Sequence, residues 1–289
     1  MLPRVLATPV CAAFVTMAGI AQAGHAALPD TLIALDAPEG QKLLLESTAR
    51  ADYFRLAEHY VTQETGSLCG AASIVMALNA IDVRAPEMPP IGARMFTQEN
   101  MFNDCARGVL PRERVERGGM TISQLADLVQ CQPARAEVVH ASDTTLDAFR
   151  ARAAKNLADP RDAMIVNYNR SEVGQEYMGH LSPIAAYHAG ADRLLLMDVA
   201  RYKYPPVWVK TDALFAAMNT GDPSSGKSRG FVVVSAADGS PGPRRAEKAR
   251  NPLHILFAMV GGAFVLGIGT GAGIATWRAR RKAKRAAAS

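Results

Sequence analysis

Apolar residues recur at helical spacing along the first part of the chain, between about residues 43 and 157. Some of these stretches follow hydroxyl or carboxylate side chains, such as those of Thr121 and Asp143, that can accept hydrogen bonds from free helix N–H groups. The pattern therefore predicts helices over residues 43–49, 52–60, 97–104, 121–131 and 143–157, together with a helix that begins at Cys69.

After about residue 160 the apolar runs become short and rich in β-branched residues, which is typical of strands. The segment from His188 to Asp192 has the composition of a hairpin turn, so the strands on either side are expected to pair antiparallel. Strands are predicted over residues 163–168, 181–188, 193–199 and 230–234. Together the two patterns predict an α+β domain over residues 28–235, in which a helical lobe faces an antiparallel sheet lobe.

Both ends of the chain have the composition of membrane segments. Residues 5–20 are apolar apart from two threonines, and Ala21 and Ala23 form a small-x-small cleavage pattern, so we expect a signal peptide, with an uncleaved anchor as the alternative. Residues 255–275 carry no charge, and a helix of this length crosses a hydrocarbon core of ~30 Å. The expected segments are a signal peptide over 1–23, a flexible linker over 236–252, a transmembrane helix over 253–277 and a basic tail over 278–289.

The net charge of +5 belongs mainly to the tail, because Arg278, Arg280, Arg281, Lys282, Lys284 and Arg285 all lie in the last twelve residues. Nucleic-acid binding is therefore not expected, and the positive-inside rule places the C-terminus in the cytoplasm and the main domain outside. Two Gly-x-x-x-Gly motifs in the apolar segment would allow a homodimer through close helix contact, although membrane helices also tolerate glycine without dimerising.

Cys69 is the first candidate for chemistry. It lies at the predicted start of a helix, where Thr65, Gly66 and Ser67 can end a loop and cap the helix. Free N–H groups and the positive end of the helix dipole favour a thiolate there, as a nucleophile requires. The alternative is a buried packing residue, which is the common role of a cysteine among small residues.

The predicted hairpin supplies partners for such a cysteine. His180 lies about nine residues before the centre of the turn and Asp198 about nine residues after it, so the two are expected to lie opposite each other on neighbouring strands. His180 would then exchange a proton with Cys69, and Asp198 would hold the imidazole. The alternative for His180 is a turn residue without a chemical role.

Three blocks of the sequence carry a family resemblance. They are residues 63–78 with Cys-Gly-x-x-Ser, residues 179–190 with Gly-His-x-Ser-Pro-Ile and Tyr-His-Ala-Gly, and residues 198–209 with Asp-Val-Ala-Arg-Tyr-Lys-Tyr-Pro-Pro. In order and spacing these blocks resemble phytochelatin synthases, most of all the short bacterial members that hold only the catalytic domain. The resemblance covers about residues 28–235. For a bacterial protein, the expected location is the inner membrane with the catalytic domain in the periplasm.

The resemblance implies a papain-like fold and a catalytic triad of Cys69, His180 and Asp198. Members of the family cleave the Cys–Gly amide of glutathione, hold γ-glutamylcysteine as a thioester and pass it to water or to a second glutathione. Gln63 matches the family's oxyanion-hole glutamine, with a structural hydrogen bond as the alternative.

Four further residues are expected to bind substrate. Arg229 matches an Arg-Gly-Phe block of the family and has the forked donor that suits the α-carboxylate of a γ-glutamyl group. Arg201 and Tyr204 are expected to shape the pocket, a structural salt bridge being the alternative for Arg201. Asn167 is a weaker candidate for binding the acyl group.

The sequence also departs from the family. Leu181 replaces an aromatic residue, Tyr177-Met178-Gly179 replaces a glycine-rich approach to the histidine, and an apolar segment stands where the eukaryotic enzymes have a cysteine-rich region. We therefore expect hydrolysis of glutathione to dominate over polymer synthesis. The alternatives are a papain-like cysteine peptidase acting on other peptides and a non-catalytic thiol- or metal-binding membrane protein.

The remaining cysteines leave two possibilities open. With Cys69 as nucleophile and the signal peptide removed, Cys105 and Cys131 either form a disulfide or remain two free thiols. The histidines are scattered and no Cys-x-x-Cys motif is present, so no protein metal site is predicted. No cofactor is expected to be required. By resemblance, cadmium or zinc would act as a metal-thiolate complex of the substrate.

Overall fold

The computed structural model describes residues 24–88 and 90–237. Within these ranges there are eight α-helices, namely α1 (Pro38–Glu46), α2 (Ala51–Glu58), α3 (Cys69–Ala80), α4 (Asp104–Val109), α5 (Arg112–Gly118), α6 (Ile122–Gln130), α7 (Leu146–Asn156) and α8 (Thr211–Met218). The strands are β1 (Ile33–Ala34), β2 (Glu87–Met88), β3 (Ala93–Arg94), β4 (Ala134–His140), β5 (Asp162–Asn169), β6 (Gly179–His188), β7 (Arg193–Leu196), β8 (Val207–Lys210), β9 (Gly221–Asp222), β10 (Lys227–Ser228) and β11 (Gly230–Ala236).

Seven strands form one sheet in the order β1-β8-β7-β6-β5-β11-β4, and every neighbouring pair is antiparallel. This confirms the mixed fold of helices and an antiparallel sheet that the sequence predicts. The predicted hairpin is also present, because β6 and β7 pair across a short turn at residues 189–191. The four short strands β2, β3, β9 and β10 form two separate hairpins.

The sheet is covered by helices on both faces, and its side chains alternate between two cores. Ile165 on β5 belongs to the core under α1, α2, α3 and α6, whereas its neighbours Met164 and Val166 belong to the core under α7 and α8. The prediction of one helical lobe facing one sheet lobe is therefore too simple. The central strands β5 and β6 are buried on both sides and are therefore mostly apolar, whereas the edge strand β4 is partly exposed.

Helix α3 lies at the centre of the first core. All twelve of its residues are buried, from Cys69 to Ala80, and it packs against β5 and β6. It has no polar face, and at its start Gly70 leaves room for the Met120 side chain, whose sulfur would lie 2.5 Å from a Cβ at that position. Its N-cap is Leu68, which provides no side-chain hydrogen bond, so capping by Thr65 or Ser67 is wrong.

The predicted helix over residues 97–104 is also wrong. Thr97 and Asn100 instead close a turn, since the Thr97 N–H donates to Asn100 Oδ1 (2.8 Å) and the Asn100 N–H donates to Thr97 Oγ1 (3.0 Å). Such local side-chain bonds compete with the helix. Helix α4 begins only afterwards, with Asn103 as its cap through the Ala106 N–H (2.9 Å).

Other predicted elements differ mainly at their ends. Helix α6 follows Thr121, whose side chain forms the predicted cap as part of a capping box with Gln124. Helix α7 begins at Leu146 and is capped by Thr145 rather than by Asp143. Helices α5 and α8 and strands β4 and β8 have no counterpart among the predicted elements.

In residues 24–88 and 90–237, no helix combines the length and the apolar character needed to cross a membrane. The signal peptide over 1–23 and the transmembrane helix over 253–277 lie outside the described residues, as do the basic tail and nearly all of the linker. These four predictions remain predictions.

Candidate active site

Cys69 is the first residue of α3 and the free cysteine of the described part of the chain. Its side chain is buried, with 8% of the residue exposed. Ser73, one turn further along, places its hydroxyl 2.8 Å from the Cys69 carbonyl oxygen and 3.1 Å from the Leu181 carbonyl oxygen. This bridge fixes the start of α3 against β6, the strand that carries His180.

His180 and Asp198 lie together as predicted, but they are not opposite each other on paired strands, because β7 ends at Leu196 and its last partner is Ile184. His180 Nε2 is 3.0 Å from Asp198 Oδ1, and both side chains are almost completely buried. Pairing of β6 with β7 stops at Leu196, after which the Met197 N–H still bonds to the Pro183 carbonyl (2.9 Å) and carries the chain to Asp198. Because Nε2 faces Asp198, Nδ1 is the nitrogen left for the Cys69 thiol, which lines the same cleft as His180.

Arg170 completes this group, and the sequence analysis missed it. Its fully buried guanidinium lies 2.7 Å from Asp198 Oδ2 and donates from Nη2 to Oδ1 at 2.8 Å. The Ala200 N–H also donates to Oδ1, at 2.8 Å. Arg170 follows β5 and lies 28 residues before Asp198 in the chain. No local pattern links the two residues, so only the sheet brings them together.

The charges of the group favour an ion pair between Cys69 and His180. Burial raises the pKa of the Cys69 thiol, but the hydrogen bond and charge of His180 outweigh it, so the pKa lies below its ordinary value. Burial lowers the pKa of His180, but the charge of Asp198 outweighs it and leaves that pKa raised. Burial also raises the pKa of Asp198, and His180 and Arg170 together bring it well below its usual range. Both shifts at the Cys69–His180 pair favour thiolate and imidazolium.

A cleft of about 320 Å³ opens beside Cys69 and His180. Arg229 and Asn167, two of the predicted binding residues, line it together, and Arg229 Nη1 donates to Asn167 Oδ1 at 3.1 Å. Asp222, which the sequence analysis missed, also lines the cleft and is buried. The cleft therefore contains a cationic and an anionic side chain near the thiol.

Gly179 explains how the arginine reaches the cleft. A Cβ atom on Gly179 would lie 2.5 Å from Arg229 Nη1, so the guanidinium occupies the space that a side chain would fill. The bare backbone before His180 thus gives room for the Arg229 head group.

The Gln63 amide is buried and does not donate toward the thiol in this structure. Its Nε2 donates to the Thr65 carbonyl (2.7 Å) and lies 3.3 Å from the Tyr202 hydroxyl. Its Oε1 is buried without a hydrogen-bond partner. Gln63 therefore makes the structural hydrogen bond that was the alternative to an oxyanion role. To donate to an oxyanion at Cys69, its side-chain amide would have to rotate.

Arg201 and Tyr204 line a different hollow, of about 430 Å³, rather than the cleft beside Cys69. The Arg201 guanidinium stacks 4.4 Å from the centre of the Tyr60 ring and donates to the Tyr60 carbonyl at 3.1 Å. Tyr204 packs its ring 4.9 Å from the Arg170 guanidinium. The expectation that they shape the pocket at the thiol is corrected, because both side chains turn toward the Tyr60 and Arg170 side of Asp198.

Cys105 and Cys131 form a disulfide, which decides between the two possibilities left open by the sequence. The bond connects α4 to the residue that ends α6. Among the described residues, no group of three or more His, Cys, Asp or Glu side chains is arranged to hold a metal ion.

A free cysteine at a buried helix start, in one cleft with a histidine that a carboxylate holds, is typical of enzymes that transfer acyl groups through a cysteine nucleophile. Comparison with protein families narrows this class. Residues 23–231 match the phytochelatin synthase family model, and the chain belongs to that family.

The curated relatives are consistent with this membership. The chain is 35% identical over 207 residues to glutathione gamma-glutamylcysteinyltransferase 1 of Lotus japonicus, which covers 71% of this chain and 40% of that protein. It is 35% identical over 198 residues to glutathione gamma-glutamylcysteinyltransferase 1 of Arabidopsis thaliana, which covers 68% of this chain and 40% of that protein. The glutathione gamma-glutamylcysteinyltransferase of Schizosaccharomyces pombe is 28% identical over 210 residues, which covers 72% of this chain and 50% of that protein. The chain thus spans about half or less of the length of these relatives.

Proposed function

We propose that the protein is a glutathione γ-glutamylcysteinyltransferase of papain-like fold that uses Cys69 as its nucleophile. The observation that carries the proposal is the Cys69–His180–Asp198 group at the edge of a cleft that also holds Arg229. The names of the curated relatives support glutathione as the substrate.

The chemistry follows from this geometry. The Cys69 thiolate attacks the carbonyl carbon of the Cys–Gly amide, and the C–N bond breaks as His180 gives its proton to the departing glycine amine. The product is a γ-glutamylcysteine thioester on Cys69. Water or the amino group of a second glutathione then attacks the thioester carbonyl and gives a proton to His180, and the C–S bond breaks to release the Cys69 thiolate.

The developing oxyanion needs hydrogen-bond donors. The Cys69 backbone N–H is available because the first turn of a helix has no internal partners for its N–H groups. The Gln63 amide is the proposed second donor once it rotates away from Thr65 and Tyr202. A preorganised donor, as the Cys69 backbone N–H is, contributes about 3–4 kcal/mol of transition-state stabilisation, whereas Gln63 must first give up its bond to Thr65.

The cleft residues match the charges of a γ-glutamyl group. Arg229 is proposed to bind the α-carboxylate and Asp222 the α-ammonium, while Asn167 holds Arg229 in place through its Oδ1. A peptide bearing an ordinary α-linked residue at this position would present neither charge in the same place. This complementarity favours the transferase over a general peptidase.

Several finer points belong to the same proposal. Water is the main acceptor, so hydrolysis exceeds transpeptidation. The protein needs no resident cofactor, and cadmium or zinc enters as a thiolate complex of glutathione. The described domain lies on the periplasmic side of a bacterial inner membrane, held by a C-terminal helix that can pair with a second copy.

The test is to incubate the full chain and its Cys69→Ala variant with glutathione, with and without cadmium, and to identify the products by mass spectrometry. We expect glycine and γ-glutamylcysteine from the wild type, fewer γ-glutamylcysteine oligomers, and neither product from the variant. If the oligomers exceed γ-glutamylcysteine, water is not the main acceptor and this part of the proposal is wrong. Cleavage of unrelated peptides by a folded wild type that leaves glutathione intact would favour a peptidase.

A further inference from the structure

Gln98 makes two hydrogen bonds that enclose the candidate oxyanion residue. The side chain is buried, with 5% of the residue exposed. Its Nε2 donates to the Thr62 carbonyl at 2.9 Å, and its Oε1 accepts from the Glu64 N–H at 3.1 Å. The two bonds hold the backbone immediately before and immediately after Gln63.

The other side of the same segment is attached to the catalytic group. The Gln63 N–H donates to the Val199 carbonyl at 2.9 Å, and Val199 follows Asp198 directly. The peptide over residues 62–64 is therefore held between Gln98 on one side and the Asp198 segment on the other. It leads into the turn that begins α3, where the Leu68 N–H bonds to the Thr65 carbonyl at 3.2 Å.

A second contact reinforces Gln98 from outside. Arg112 donates from Nη1 to the Gln98 carbonyl at 3.1 Å and from Nη2 to Glu64 Oε2 at 2.6 Å. These bonds are partly exposed to solvent, which weakens their contribution. The buried amide of Gln98 is the better-protected connection.

We propose that Gln98 is a positioning residue for acyl-enzyme formation, which it supports by fixing the segment that carries Gln63 and enters α3 at Cys69. This inference rests on the proposed function. Gln98 does not touch the cleft; instead it borders a hollow on the far side of the segment, with His59 and Met95. Loss of its bonds displaces donors that act on the transition state, so kcat falls while KM stays close to that of the wild type.

Gln132 offers a matched control. It is also a buried glutamine that braces a loop, with Nε2 donating to the Met101 carbonyl (2.8 Å) and Oε1 accepting from Asn103 Nδ2 (3.2 Å). It lies beside the disulfide at the end of α6. Gln98→Met and Gln132→Met therefore remove the same kind of side chain from two different loops.

The experiment compares glutathione cleavage by the full chain and these two variants, each with its melting temperature. We expect Gln98→Met to lower kcat about 10- to 100-fold, as small displacements of catalytic groups do, with KM changed less than threefold. Gln132→Met should lower the melting temperature by about as much as Gln98→Met does, but its kcat should stay at the wild-type value. Wild-type kcat in Gln98→Met, or equal kcat losses in both variants, would overturn the proposal.

Gln98→Glu supplies a pH signature that simple destabilisation would not give. The introduced carboxylate can accept from the Glu64 N–H but cannot donate to the Thr62 carbonyl, whereas its protonated form can do both. The ratio of the variant's kcat to that of the wild type should therefore rise as the pH falls. A ratio independent of pH would contradict the inference.

Hydrogen exchange separates this proposal from the proposed function. The amides of residues 63–66 should exchange faster in Gln98→Met but not in Gln132→Met, whether or not glutathione is a substrate. Unchanged exchange would overturn the positioning role even if the wild type is fully active. A wild type that leaves glutathione intact while exchange responds as expected would refute the reaction and keep the positional assignment.

Discussion

Asp198 is shared by two cations from different parts of the sheet, since His180 lies on β6 and Arg170 directly follows β5. Its Oδ1 meets His180 at 3.0 Å and Arg170 at 2.8 Å, and all three side chains are buried. A buried carboxylate with a single partner is costly, whereas two cations and the Ala200 N–H compensate for its lost hydration. The carboxylate therefore stays ionised, which keeps the pKa of His180 raised and favours the Cys69 thiolate.

Replacing this carboxylate should change how Cys69 titrates. Because the charge of Asp198 raises the pKa of His180, Asp198→Asn should lower that pKa and raise the pKa of Cys69. The rate of Cys69 alkylation by iodoacetamide, followed from pH 5 to pH 10, should then rise at higher pH than in the wild type. Asp192→Asn is the control, since Asp192 pairs with Arg150 away from the thiol. Identical alkylation profiles for Asp198→Asn and the wild type would contradict the coupling.

Arg229 can be tested by its fork geometry. Arg229→Lys keeps the charge but loses the planar pair of donors, so KM for glutathione should rise by about 10-fold, equivalent to the ~1.4 kcal/mol of one good hydrogen bond. An analogue that lacks the γ-glutamyl α-carboxylate should be cleaved equally by wild type and variant. An equal loss with both substrates would mean that Arg229 supports the cleft only structurally.

Helix α3 depends on its surroundings more than on its own sequence. It is buried along its whole length and starts at Leu68 without a side-chain cap. The Ser73 hydroxyl between the Cys69 and Leu181 carbonyls and the packing of α3 on β5 and β6 hold the helix start by tertiary contacts. The side chain of Cys69, the proposed nucleophile, is therefore placed accurately at the helix start, because the core allows it little freedom.

The disulfide between α4 and the end of α6 should stabilise the fold by closing a loop. The two cysteines are 26 residues apart, for which the chain-entropy relation predicts roughly 3–4 kcal/mol. The Cys105→Ser, Cys131→Ser double variant should lose about this much free energy of unfolding in urea, with glutathione cleavage retained under native conditions. A reducing agent should bring the wild type to the same value and leave the double variant unchanged. Equal stabilities of the oxidised wild type and the double variant would exclude a stabilising role.

A buried acidic group makes the stability of the domain depend on pH. Asp52 at the start of α2 is 3% exposed, and Asp162 and Asp159 lie near it. Burial, together with the charges of these two residues, raises the pKa of Asp52 from 3.8 to about 9. The folded state thus retains a proton that the unfolded state loses above pH 3.8, so this group makes stability fall as pH rises toward 9.

Asp52→Asn should remove that dependence. The variant should gain stability relative to the wild type, and the gain should be larger at pH 8 than at pH 5, as measured by urea unfolding. Asp36→Asn, at an exposed position, is the control and should follow the wild type at both pH values. A constant difference between Asp52→Asn and the wild type would show that Asp52 titrates normally.

Local pattern was sufficient for much of this protein. Hydrophobic periodicity distinguished helices from strands, and the turn at His188–Asp192 predicted that His180 lies close to Asp198. The exact register was not predictable, because the pairing shifts between Ile184 and Ala186 and ends at Leu196. The sequence blocks around Cys69, His180 and Asp198 indicated the family that the comparison confirms. Local signals failed at residues 97–104, where side-chain bonds of Thr97 and Asn100 outweigh helix propensity.

Contacts between distant segments needed the folded chain. Arg170 reaches Asp198 because β5 pairs with β6, and Gln98 reaches Thr62 and Glu64 because a turn folds against the segment before α3. The same packing turns Arg201 and Tyr204 away from the thiol, although they share a sequence block with Asp198. Residues that are neighbours in sequence lie in the same strand or loop. The direction of each side chain, however, depends on the strand register and on the residues that pack against it.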